Sequence, residues 1–230
     1  MVAIVTLPES RRCVIKFGAV FLLVLAAGTI VGSIRARPVE PPRLLAPGVA
    51  ANERLTASLG AVLLVLLTAI AITVLYVQQG LLAHYVVGLL LIPPLALKLM
   101  STGYRFARYY MHDRDYRLAG APPFLLRFGV APILVLSTLA VFVTGLELWL
   151  VGLRFGSVWM TAHTVSAVGF VIAAGLHLLG HARRSNAAAF EDLTVRSSRD
   201  AFTRRSMVVG GLVLGAVLAA ATLLYQSPFP

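Results

Sequence analysis

At 230 residues the chain is 59% hydrophobic and only 13% charged, with a mean hydropathy of +0.87. That composition excludes an ordinary water-soluble domain and points to an all-α, polytopic membrane protein. The net charge of +11 sits in arginine-rich segments between apolar runs, the pattern of loops facing an anionic leaflet and not of a nucleic-acid surface.

Six apolar runs of about spanning length are predicted, near 14–33, 57–77, 81–101, 125–151, 158–180 and 207–225. The first follows Arg11, Arg12 and Lys16 and lacks a convincing small-residue cleavage site, so it reads as a retained helix. Cys13 beside it is the only cysteine, which excludes an internal disulfide, an iron–sulfur cluster and covalent c-type haem attachment. Residues 38–56 form a Pro-rich loop, and Gln78-Gln79-Gly80 a tight hairpin. Pro93-Pro94 is expected to kink the third helix, as membrane helices tolerate. A basic, tyrosine-rich segment spans 102–124, and a polar basic loop 184–206. In the last helix Gly211 and Gly215 are spaced for close helix contact. The expected organisation is an N-terminal transmembrane helix (1–37), the loop 38–56, a four-helix bundle over 57–183, the loop 184–206 and a C-terminal transmembrane helix (207–230).

Orientation follows from the basic residues. Segments 34–55, 102–127 and 183–205 carry four, five and six Lys/Arg, against Arg11, Arg12, Lys16 and Arg154 on the opposite side. The positive-inside rule places the three long segments in the cytoplasm and both termini outside. Trp149 and Trp159 bracket the short outer turn as interface anchors.

The fifth run, WMTAHTVSAVGFVIAAGLHLLGHARR, carries His163 and His177 inside apolar sequence and His181 just beyond. The first two are fourteen residues apart. On an α-helix that returns to within about 40° of the same face, roughly 21 Å along the axis. Imidazole inside a bilayer is costly and marks a functional site, and two at this spacing suggest metal centres stacked across the membrane. A partner at the depth of His163 exists: His84, near the start of the third run, which is parallel to the fifth. Bis-imidazole ligation of one b-type haem by His84 and His163 near the outer leaflet is the expectation, with Gly88, one turn on, letting a flat macrocycle approach the backbone. A second haem at His177 is a further possibility. Fourteen residues after His84 comes Lys98, at the level of His177. It has three readings: a propionate partner, an amine ligand, or a side chain snorkelling to the interface. His177 with His181 suits a metal ion, a propionate or a lipid contact better than two sides of one haem. The plain alternative for each histidine is an interhelical hydrogen bond. Glu147 either accepts a proton from a quinol or pairs with Arg154 at the interface, the latter being preferred, and His112 is expected to be solvated.

The H-x13-H of the late helix and His84-x-x-x-Gly88 of the earlier one resemble the four-helix b-type cytochromes, the membrane subunits of the formate dehydrogenase gamma and hydrogenase b-cytochrome kind. The phrases LLLIPPLALKLMSTGYRFARYY and HTVSAVGFVIAAGLHLLGH are also similar to a group of actinobacterial membrane proteins. The resemblance covers a little over half the chain. It implies a bacterial inner-membrane, multi-pass electron-transfer subunit, with two haems linking a quinone pool to a redox partner such as an extracytoplasmic molybdopterin oxidoreductase. His163 and His177 match the late-helix ligands and His84 the early one. The chain departs from the pattern in having three core histidines where two bis-histidine haems need four. A non-redox reading, as transporter or assembly subunit, stands beside it, although no repeat or broken-helix pattern favours transport. A membrane enzyme reducing its own substrate would need a donor site that the sequence does not display.

Overall fold

The computed structural model describes residues 45–77, 79–181 and 199–223, with Lys16, Gly18, Val20, Phe21, Leu23 and Ala27 of an N-terminal helical stretch. The rest of the predicted first span, Cys13, Gln78, most of the basic loop and the C-terminal end lie outside the described residues. So does the side chain of His181. Among the described residues the elements are all helical: α1 Pro47–Leu75, α2 Leu81–Tyr110, the short α3 Arg114–Ala119, α4 Ala131–Val151, α5 Val158–His181 and α6 Arg199–Thr222. A π-helical turn, Leu125–Val130, runs directly into α4.

Five of these segments are long and apolar enough to cross a membrane: Pro47–Leu75, Leu81–Tyr110, Leu125–Val151, Val158–Leu179 and Ala201–Thr222. Their outward faces are apolar. Met100, Leu136, Val143, Val165, Ile172 and Val213 are all more than half exposed, a distribution that water would not tolerate and lipid requires.

Three boundaries differ from expectation. α1 begins at Pro47, ten residues before the apolar run, because proline is compatible with the first helical turn and Ala50-Ala51-Asn52-Glu53-Arg54-Leu55 contains good helix formers. Most of the anticipated Pro-rich loop after residue 46 is therefore helix. α2 continues through RFARYY to Tyr110, and α6 starts at Arg199, each adding polar turns to an apolar core. Hydropathy marks where lipid begins, not where the helix begins. α2 also stays helical through Pro93 and Pro94.

Two antiparallel hairpins, α1–α2 and α4–α5, form the frame, with α2 touching α4 between them and α6 packed along α2. On the far side Leu23 and Val171 of α5 lie against Ala71 of α1. Beyond the end of α2 Asp113 caps α3, its carboxylate accepting from the backbone N–H groups of Asp115 (3.0 Å) and Tyr116 (3.2 Å) and pairing with Arg108.

Candidate functional site

The candidate site lies where α1, α2, α4 and α5 come together near one end of the helices. His84 is the fourth residue of α2 and His163 the sixth of the parallel α5, so both lie within two turns of the same side. The structure brings them together: their ring centres are 6.4 Å apart and the ring planes are perpendicular. Both side chains are half-buried.

Hydrogen bonds hold both rings in place. The Thr73 hydroxyl lies 2.7 Å from the Ile70 carbonyl and 3.0 Å from His84 Nδ1, a contact in which either the hydroxyl or the ring nitrogen can be the donor. His163 Nδ1 lies 3.1 Å from the Val141 carbonyl, which can only accept, and 3.1 Å from the Thr144 hydroxyl, itself donating to the Ala140 carbonyl at 2.6 Å. His163 therefore donates from Nδ1. An imidazole whose Nδ1 is tied to a carbonyl or hydroxyl has the outer-shell arrangement seen in metal-ligating histidine, and the same bond joins neighbouring helices.

Gly145 completes the site. A methyl at its Cα would stand 3.0 Å from His163 Cε1 and 3.4 Å from Nδ1, so α4 can approach the imidazole this closely only with glycine there. Thr73, Val141, Thr144 and Gly145 are missing from the reading of the sequence. The available signal was weak: a Thr-Gly pair one helix away from a membrane histidine, and a threonine at the level of His84. Tyr85, next to His84, packs its ring 4.5 Å from that of Trp149 and so ties α2 to α4 beside the pair.

The other candidates lie elsewhere. Gly88 faces α1, where a methyl would meet Ile70 Cδ1 at an ordinary 3.9 Å. His177 is half-buried far down α5. Lys98 reaches neither histidine: its Nζ donates to the Thr56 carbonyl of α1 at 2.8 Å, in space left by Gly60, whose methyl would stand 2.9 Å from that nitrogen. It joins a polar seam in which Ser101 donates to the Asn52 side chain at 2.7 Å and Arg105 pairs with Glu53 at 3.1 Å. The preferred pairing of Glu147 with Arg154 does not form. Both carboxylate oxygens are buried without a partner, and Arg154 is exposed beyond Gly152, where α4 has ended. His112 is exposed, with a positive φ of 63°. Among the described residues no three His, Cys, Asp or Glu side chains converge on a common point.

The fold and site define a helical membrane protein with a paired-imidazole centre near one face. Comparison of the chain with known protein families, characterised proteins and solved structures finds no match.

Proposed function

We propose that the chain is a membrane electron-transfer subunit in which His84 and His163 hold one b-type haem near the outer leaflet. The observation that carries this is the pair itself, two imidazoles 6.4 Å apart, each with its Nδ1 held by a hydrogen bond to a neighbouring helix. Metal–imidazole bonds of about 2 Å on either side of one ion, with the half-width of each ring, set ring centres about 6 Å apart. The plain alternative, an interhelical hydrogen bond for each histidine, is made as well, His84 to Thr73 of α1 and His163 to Val141 and Thr144 of α4, so the reading rests on the approach of the two rings to each other.

Bound there, haem supplies one-electron chemistry. The protein's part is to fix the ligands, through Thr73, Thr144 and the Val141 carbonyl, and to surround them with low-dielectric side chains. In this reading the membrane fold comprises six spans with the four central helices as the haem-binding bundle. The location is a bacterial inner membrane, and electrons pass between a quinone pool and a redox partner, possible partners including an extracytoplasmic molybdopterin oxidoreductase. One haem accounts for the site; a second at His177 would need an axial partner that Lys98, engaged with Thr56, does not offer. The test is the visible spectrum of the purified protein, which should show a Soret band and sharp α and β bands on dithionite reduction. His84→Ala and His163→Ala should each abolish or convert those bands, while His177→Ala should spare them.

A further inference from the structure

α4 carries a second polar group that the paired imidazoles leave unused. Both carboxylate oxygens of Glu147 are buried, and neither has a hydrogen-bond partner among the described residues. An unsatisfied buried carboxyl is rare enough to require an explanation, and one inside a membrane span points to function. It also has a definite place. Glu147 follows Thr144, the hydroxyl at His163, by three residues, and side chains so spaced on a helix are neighbours, about 5–6 Å apart at Cβ.

The rest of its surroundings are lipid-facing. Val143, Leu146 and Leu150 are 60%, 38% and 49% exposed, whereas Thr144 and Leu148 are buried. Glu147 therefore stands on the border between the inner stripe of α4 and its membrane face. A ligand that meets it there arrives through the hydrocarbon, so it must be apolar enough to dissolve in lipid and must bring a hydroxyl that can hydrogen-bond the carboxyl group. Trp149 also holds an unpartnered indole Nε1, but it lies about 200° farther round the helix, against Tyr85, and faces a different environment.

We infer that Glu147 anchors a binding site for a lipid-soluble hydroquinone, whose hydroxyl hydrogen-bonds the Glu147 carboxyl group one helical turn from the threonine that holds His163. Choosing a hydroquinone among lipid-phase hydroxyl donors rests on the electron-transfer reading of the histidine pair.

The test uses the full chain in phosphatidylcholine nanodiscs, titrated with menadiol and read by tryptophan fluorescence. Trp149 and Trp159 are the two tryptophans, and both lie at this end of the molecule. Saturable quenching is expected. Glu147→Leu removes the orphaned polar group without leaving a cavity, so the variant should fold at least as well, and its melting temperature checks that. Loss of the hydrogen bond should weaken its menadiol affinity by about tenfold, with Glu147→Gln, which keeps a carbonyl acceptor, losing less. Non-saturable quenching, or equal affinity in wild type and Glu147→Leu, would overturn the inference. So would saturable binding abolished by adding phosphatidylethanolamine, which would assign the carboxylate to a lipid ammonium. Glu147-dependent menadiol binding in a protein without a haem spectrum would refute only the electron-transfer reading. A haem spectrum with menadiol binding indifferent to Glu147 would refute only this site.

Discussion

Thr73 and Thr144 make the same contact to different histidines, but they are not equivalent. Among the described residues Thr73 is the one hydrogen-bond partner of His84 Nδ1, whereas His163 Nδ1 also has the Val141 carbonyl at 3.1 Å. Thr73→Val should therefore weaken haem binding by about the tenfold to hundredfold typical of a lost outer-shell hydrogen bond, and Thr144→Val by less, as measured by haem titration of the apoprotein. Equal effects would mean that the Val141 carbonyl is not the partner that matters. Lys98→Met should leave the reduced spectrum unchanged, since Lys98 Nζ is bound to the Thr56 carbonyl; loss of most of the absorbance would place the amine at the metal. His84 and His163 were legible in the sequence because a membrane histidine stands out and helix direction fixes its depth. Their threonine partners were not. A threonine in a membrane span usually returns its hydroxyl to the preceding turn, as Thr68 does to Leu64, and nothing local separates that use from one aimed at a neighbouring helix.

At the scale of elements, the contact between α6 and α2 depends on two features that the sequence shows separately. Pro94 has no N–H, so the Leu90 carbonyl one turn earlier loses its intrahelical donor. Gly215 of α6 comes to rest on that turn: a methyl on it would stand 2.7 Å from the Leu90 oxygen and 3.0 Å from the Leu90 Cα. Backbone cannot move aside as a side chain can. At Gly211, by contrast, the closest atom to a methyl is the mobile Leu97 Cδ1, at 3.0 Å. Gly215→Ala should lower stability by about 1–3 kcal/mol through overpacking, and Gly211→Ala by clearly less, with the difference read as melting temperature in detergent. The reverse order would show that α6 packs elsewhere. The glycine spacing was legible as a close helix contact. Its target was not, because a sequence does not say which helix the glycines face. Helix ends were equally hidden, since α1, α2 and α6 run past their apolar cores on polar turns that hydropathy does not register.

For the whole molecule, the succession of antiparallel spans places the tyrosine-rich segment around α3 and the start of α6 on one side, and the hairpins at 76–80 and 152–157 on the other. Most of the arginines among the described residues lie on the first side, with Arg154 on the other, and under the positive-inside rule the first side is the one expected to face the cytoplasm. Cysteine substitutions near residues 120 and 200 should share one pattern of labelling by an impermeant reagent, and position 155 the opposite one; labelling of 120 and 200 from different sides would break the topology. The histidine pair lies toward the side of position 155. The central claim, that His84 and His163 jointly ligate one haem, is tested most directly by the dithionite-reduced minus oxidised spectrum of the purified protein and its His84→Ala and His163→Ala variants. Sharp α and β bands in the wild type, lost or converted in each variant, are the expected result. A folded wild-type protein that shows no Soret band even after haem supplementation, or one whose bands survive His163→Ala and vanish in His177→Ala, would contradict it.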